Sequence, residues 1–151
     1  MSRDEAFERA LEALSRKERT ESELVSWLSE RGFDAEEVDA ALARLISLGE
    51  LDDARFAHRY AEDKRELRGW GPERIRAALA GRGVGSAEIE AALGADDHDG
   101  QLERAVALLR RRSDPLDQEA GRARALAYLT RRGYDYELAY DAVRQCEHDA
   151  A

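Results

Sequence analysis

Apolar residues along this chain recur at intervals of three and four positions, in runs separated by short stretches that contain Gly, Pro or Asp. This spacing is typical of amphipathic helices. β-branched residues are scarce, with five Val, three Ile and two Thr in 151 residues, which is too few for several strands. The pattern therefore predicts an all-α fold, with helices at roughly 4–15, 21–31, 53–67, 72–81, 99–112 and 118–132.

The chain contains an internal repeat with a period of about fifty residues. Three segments align without a gap: LSERGFDAEEVDAAL at 28–42, LAGRGVGSAEIEAAL at 79–93 and LTRRGYDYELAYDAV at 129–143. Each segment holds an Arg-Gly pair, whose glycine is Gly32, Gly83 or Gly133. Because glycine readily adopts the left-handed conformation that ends a helix, each pair predicts a helix end followed at once by a second helix.

A further helix precedes each of these pairs, which predicts three tandem three-helix repeats at residues 1–50, 51–95 and 96–151. A unit of this size is too small to bury a full core alone. We therefore expect the repeats to stack end to end into an elongated, curved array, a shape suited to binding along a long partner.

The stretch LGELDDARFAHRY, residues 48–60, places two carboxylates close to a histidine, a combination that could indicate a metal or acid/base site. The local pattern favours a helix start instead. Gly49 ends one helix, Asp52 caps the next, and Leu51 packs on Phe56, while Asp53 gains from the dipole of the first helical turn. His58 follows Asp53 by five residues, about 140° around the helix, so the two side chains point to different faces.

The remaining chemistry argues against an enzyme. The single cysteine, Cys146, excludes an internal disulfide and a thiolate zinc site. The acidic linker GADDHDG, residues 94–100, lacks the spacing of a calcium loop. The sequence holds no glycine-rich phosphate loop and no nucleophile beside a base, so we expect no catalysis, cofactor or metal. Without a long apolar run or signal peptide, the chain is predicted to be soluble and cytoplasmic.

Charge decides which faces could bind an acidic partner. The net charge is −9, yet Lys and Arg rise from 7 against 13 acidic residues in 1–50 to 9 against 9 in 101–151. The second half is therefore expected to carry any basic surface. The candidates for binding a partner or a DNA backbone are Arg59, Lys64, Arg65, Arg68, Arg74, Arg76, Arg110, Arg111, Arg112, Arg122 and Arg124.

A helix-turn-helix transcription factor is the alternative, since each repeat contains a helix, a glycine turn and a second helix. The second helices begin DAEEVDAAL, GSAEIEAAL and DYELAYDAV, and all three are acidic. Phosphates would repel such helices, so ordinary operator recognition is disfavoured. A helical adaptor for some other partner is a third possibility.

The chain resembles the RecX regulators of the RecA recombinase. The resemblance lies in TESELVSWLSERGFDAEEVDAALARLISLGELDDARFAHRYAEDK, residues 20–64, and in GWGPERIRAALAGRGV, residues 69–84. The residues that match the family pattern in order are Gly49, Leu51, Asp52, Asp53, Phe56, Ala57, Tyr60, Gly71, Arg74, Ile75 and Leu79. The resemblance is strong over residues 10–93 and extends through the repeat to about residue 143.

This resemblance implies tandem three-helix repeats and a function without catalysis, in DNA repair, recombination and the SOS response. RecX proteins bind RecA and the RecA filament on single-stranded DNA, in its helical groove. They limit filament growth, ATP hydrolysis, strand exchange and LexA coprotease activity. Weak direct contact with DNA is also implied, but the net charge of −9 predicts that contacts with RecA carry most of the affinity.

Overall fold

A computed structural model describes residues 1–150, which form helices and contain no β-strand. The all-α prediction is therefore confirmed. The helices are α1 (Arg3–Arg16), α2 (Glu21–Glu30), α3 (Ala35–Ser47), α4 (Asp53–Arg68), α5 (Pro72–Gly81), α6 (Ser86–Leu93), α7 (His98–Arg110), α8 (Glu119–Arg131) and α9 (Tyr136–Ala150). None of these helices is both long and apolar enough to cross a membrane.

The three Arg-Gly turns share one local structure. In each, the residue after the glycine donates its backbone N–H to the carbonyl of the leucine five positions earlier, which is a Schellman helix end. The bonds run from Phe33 to Leu28 (3.3 Å), from Val84 to Leu79 (3.1 Å) and from Tyr134 to Leu129 (3.1 Å). All six residues are buried, so each turn both ends a helix and anchors it in a core.

The described chain divides into two compact units, residues 1–57 with 79–89 and residues 58–78 with 90–151. In the first unit, α1 packs on α3 around buried leucines that include Leu24, Leu28 and Leu45. In the second, α7 and α8 both pack on α9 around Leu129, Tyr134 and their neighbours. Both units take part of α4, α5 and α6, and the three repeat boundaries stay a prediction.

The stretch at residues 48–60 starts a helix, as the capping pattern predicts. The carboxylate of Asp52 accepts a hydrogen bond from the N–H of Arg55 (3.0 Å), and Leu51 and Phe56 are both buried. Asp53 has a larger role than the helix dipole suggested. It is buried and accepts a hydrogen bond from the N–H of Glu21, the first residue of α2 (3.0 Å). The second carboxylate thus joins two helices.

The acidic stretch at 94–100 connects α6 to α7 through residues 94–97, and its last three residues begin α7. Asp97 caps α7 through the N–H of Gly100 (2.8 Å). The side chain of Asp96 is 5% exposed and pairs with Arg104 (2.5 Å) and Arg65 (3.6 Å). Two of its carboxylates therefore have structural partners inside the second unit.

Each unit contains a joint in which an Arg-Gly turn sits on the start of an earlier helix. In the first unit, the hydroxyl of Thr20, the cap of α2, donates to the carbonyl of Arg82 (2.7 Å). The guanidinium of Arg82 also binds Glu23 (2.8 Å). A side chain on Gly83 would bring its Cβ to 2.5 Å from Ser22, so glycine is required where the two segments meet.

The joint in the second unit follows the same plan with backbone donors. Gly71, the residue before α5, donates its N–H to the carbonyl of Arg132 (2.8 Å), and Glu73 donates to Gly133 (2.9 Å). A Cβ on Gly133 would lie 2.5 Å from the Cβ of Arg74 and 2.6 Å from its backbone nitrogen. This joint fixes the segment between α4 and α5 against the turn between α8 and α9.

Candidate partner-binding groove

A groove of about 530 Å³ lies in the second unit, where the end of α4 faces α7 and the turn after α8. We call it the arginine groove. Its wall is formed by Arg65, Glu66, Leu67, Arg68, Gly69, Arg104, Ala107, Leu108, Arg111 and Arg132. Five arginines and one glutamate give this wall an excess of positive charge.

Two contacts hold the end of α4 in place beside the groove. The hydroxyl of Tyr134, a buried residue, donates to the carbonyl of Gly69 (3.0 Å), and the guanidinium of Arg132 donates to the carbonyl of Arg68. Burial raises the pKa of the Tyr134 phenol, so it stays a neutral donor at physiological pH. The backbone at Arg68 and Gly69 is therefore held by two side chains of the turn after α8.

The arginines of the groove differ in what neutralises them. Arg65 and Arg104 share the single carboxylate of Asp96, and Arg65 also donates to the carbonyl of Ala92 (2.7 Å). Burial disfavours the charged form of Arg104, but the hydrogen bond with Asp96 outweighs it and raises the pKa. The contacts with Asp96 thus hold both side chains in the wall of the groove.

Arg68 and Arg111 are the exposed cations of the groove, and neither has a carboxylate partner among residues 1–150. The Nε atoms of Arg65, Arg104 and Arg132 are buried and make no hydrogen bond to the described residues. Guanidinium groups bind carboxylates and phosphates through paired N–H donors. Leu67, with 78% of its surface exposed, and Leu108 add an apolar edge. The groove can therefore hold an anionic group that carries an apolar neighbour.

Three of the residues predicted from the sequence, Arg65, Arg68 and Arg111, come together in this groove. Lys64 and Arg74 lie elsewhere, on the ring of Trp70, at 4.8 and 4.2 Å from its centre. Tyr60 packs its ring edge-on against the same tryptophan. This second group combines two cations with two aromatic rings outside the arginine groove.

The other predicted arginines are spread over the second unit, and most are paired with carboxylates. Arg76 binds Glu90 and Glu73, Arg110 binds Asp149, Arg122 binds Glu147, and Arg112 and Arg124 share Asp114. Hydrogen bonds from Arg112 lower the pKa of the Asp114 carboxyl. Arg59 is an exposed residue of α4. Pairing makes these side chains weaker candidates than Arg68 and Arg111, because a partner would have to displace a carboxylate.

Sequence reasoning missed two residues of the groove, Arg104 and Arg132. Arg132 belongs to the third Arg-Gly pair, so the repeat could have drawn attention to it. The charge count led us to expect any basic surface in the second half of the chain. The first unit also brings arginines together, however, because Arg31 lies over the ring of Trp27, at 3.6 Å from its centre. Arg19 and Arg9 approach the same ring at 5.5 and 6.0 Å.

Two family models match the chain, and together they cover more than half of it. Residues 6–45 match the first three-helix domain of RecX, and residues 52–93 match the second. Among curated relatives, the regulatory protein RecX of Stenotrophomonas maltophilia is 39% identical over 140 residues, covering 91% of this chain and 84% of that protein. RecX of Thermus thermophilus is 34% identical over 145 residues, covering 96% and 94%. RecX of Deinococcus radiodurans is 38% identical over 90% of this chain, but the match spans 65% of the relative's length.

Solved structures agree with the fold. The crystal structure of RecX from Lactobacillus salivarius superposes with a TM-score of 0.89 over 97% of both chains, at 19% identity. A crystal structure of a regulatory protein RecX gives a TM-score of 0.76 at 25% identity, covering 95% of this chain and 71% of that one.

Proposed function

Because the chain belongs to the RecX family of regulatory proteins, we propose that it regulates RecA, mainly as an inhibitor. It binds RecA and the groove of the RecA filament on single-stranded DNA. By doing so it limits filament growth, ATP hydrolysis, strand exchange and LexA coprotease activity. It acts in the cytoplasm, without catalysis and without a cofactor.

The family match is the observation that carries this proposal. The arginine groove supplies a contact surface of suitable chemistry. Arg68 and Arg111 offer guanidinium groups without a carboxylate partner among residues 1–150, and the exposed Leu67 precedes Arg68 in the wall of the groove. We propose that an acidic side chain of RecA, with an apolar neighbour, enters this groove.

The acidic character of the chain supports protein contacts over DNA contacts. The net charge is −9, and several arginines outside the groove, among them Arg76, Arg110 and Arg112, are paired with carboxylates. Association with bare DNA draws most of its affinity from unpaired cations that displace counterions. The DNA of the filament is therefore a weak secondary contact.

The test is the DNA-dependent ATPase and strand exchange of RecA from the same organism, measured while this protein is added up to stoichiometric excess. Both activities are expected to fall. Unchanged activities would refute the regulator proposal. Specific binding to a DNA duplex together with no effect on RecA would favour the helix-turn-helix alternative.

A further inference from the structure

Each of the two joints pairs an Arg-Gly turn with the start of an earlier helix, at Gly83 on Thr20 and at Gly133 on Gly71. The repeat predicts where a third joint of this kind would form. Gly121 follows Gly71 by fifty residues, as Gly133 follows Gly83. Gly121 lies in the first turn of α8, the helix equivalent to α5. A further repeat would therefore dock its turn against Gly121.

In this chain the position is already filled by the turn at residues 113–117. A Cβ on Gly121 would overlap the carbonyl oxygen of Pro115 and lie 2.7 Å from its carbonyl carbon. A Cβ on Gly71 would likewise lie 2.6 Å from the carbonyl carbon and oxygen of Gly133. The same backbone group thus occupies the same place on both helices, from two unrelated segments of the chain.

Several bonds hold the 113–117 turn in this position. The N–H of Gln118 donates to the carbonyl of Pro115 (3.1 Å), and the guanidinium of Arg122 donates to the carbonyl of Leu116 (3.1 Å). Asp114 pairs with Arg112 (2.6 Å) and Arg124 (3.6 Å). Gln118 itself makes no side-chain cap of α8, so the turn covers a helix start that is otherwise open.

The first Arg-Gly pair is the complementary half of such a joint. Arg31 and Gly32 are exposed, and the carbonyl of Arg31 accepts no hydrogen bond from the described residues, unlike the carbonyls of Arg82 and Arg132. A Cβ on Gly32 would meet only the end of the Met1 side chain, at 3.0 Å. The first repeat thus presents a free turn of the kind that the other two repeats use to dock.

We infer that the 113–117 turn is a cap. It stands on α8 in place of the Arg-Gly turn of a further repeat, and it prevents a second copy of this chain from docking its Arg31–Gly32 turn there. A second copy is the occupant because one chain carries both halves of the joint, and a contact between unlike halves adds copies head to tail.

Asp114→Ala combined with Arg122→Ala tests the cap by removing the side chains that hold the 113–117 turn in place. Gly121 is kept, because a docked turn needs the space that a Cβ there would fill. The amide of Gln118 is expected to lose its protection from hydrogen exchange. In sedimentation at increasing concentration, the average mass of this released variant is expected to double and then rise further, while the unaltered chain stays monomeric.

Two further variants make the result specific. Asp141→Ala with Arg144→Ala is the matched control, because it removes one carboxylate and one guanidinium from exposed positions of α9, outside the 113–117 turn; it should behave as the unaltered chain does. Adding Gly32→Ala to the released variant should make it monomeric again, since a Cβ on Gly32 fills the place where a docked helix would lie. The inference is overturned by an unchanged Gln118 amide, by a released variant that stays monomeric, or by association that persists when Gly32→Ala is added.

Discussion

Asp53 shows how one residue can serve two levels of structure. Its position next to the Asp52 cap is set by local sequence, but its carboxylate is buried and accepts the N–H of Glu21, in another helix. Burial raises the pKa of Asp53, and the nearby carboxylates of Glu88 and Asp52 add to this effect. Burial and Asp53 also raise the pKa of Glu21. When these carboxyl groups are ionised, their negative charges repel one another at this contact.

This raised pKa predicts a pH dependence that Asp53→Asn should remove. The folded chain holds the Asp53 proton more tightly than the unfolded chain, so the contribution of this group to stability is greatest below its ordinary pKa. That contribution is lost as the pH rises through the raised value. Asparagine keeps an acceptor for the N–H of Glu21 without the charge. The stability of Asp53→Asn relative to the unaltered chain should therefore increase from acidic to neutral pH.

Denaturant unfolding at a series of pH values measures this difference. Asp63→Asn, at an exposed position of the same helix, controls for the loss of one negative charge. A constant difference between Asp53→Asn and the unaltered chain across the series would show that the buried carboxylate does not titrate as described.

Helix ends and joints make different demands on glycine at the element scale. Gly32, Gly83 and Gly133 all have positive φ, at 92°, 81° and 104°. Alanine is strained at all three, by about 1–2 kcal/mol. At Gly83 and Gly133 a Cβ would also strike the helix start on which the turn is docked, whereas at Gly32 it would meet only Met1.

The prediction is that Gly83→Ala and Gly133→Ala destabilise the fold by roughly 1–3 kcal/mol more than Gly32→Ala does. The loss should be larger at Gly133, because backbone atoms of Arg74 and Gly71 lie in the way there and cannot rotate aside. Free energies of unfolding from urea titrations of the three variants provide the comparison. Three equal losses would mean that the joints contribute nothing beyond the turn itself.

The elements could be predicted from the sequence, but the joints between them could not. Asp34 and Glu37 form the expected capping box because both partners lie three residues apart. The Asp52 cap could be predicted for the same reason, because the N–H that it accepts, from Arg55, is three residues away. By contrast, Thr20 binds a carbonyl 62 residues away, and Arg132 binds one 64 residues away. Such contacts depend on how helices pack, which no local pattern records. The arginine groove is built from these contacts, so only part of it was predicted.

At the scale of the whole molecule, the excess of negative charge favours a protein partner over DNA. The chain carries 33 acidic against 24 basic residues, and Arg68 and Arg111, which have no carboxylate partner among residues 1–150, lie in one groove. The elongated, curved shape expected of the repeats stays a prediction, which small-angle X-ray scattering would measure.

Salt dependence separates the two kinds of partner. Binding to single-stranded DNA alone is expected to be weak, with a shallow slope in a plot of log K against log salt, because few unpaired cations meet phosphates. Binding to the RecA filament should be tighter at the same ionic strength. Fluorescence anisotropy with a labelled oligonucleotide, with and without RecA, gives both values. Tight binding to bare DNA with a steep slope would reverse the ranking of the two partners.

The most direct test of the account is inhibition of the RecA ATPase by matched pairs of arginine variants. Arg68→Ala with Arg111→Ala removes the unpaired cations of the groove, whereas Arg110→Ala with Arg124→Ala removes the same charge from residues paired with Asp149 and Asp114. Circular dichroism confirms that both double variants fold. The groove variant should need at least about tenfold more protein for half-inhibition, equivalent to about 1.4 kcal/mol, while the control pair stays close to the unaltered chain. Equal inhibition by the two double variants would contradict the assignment of the arginine groove to RecA.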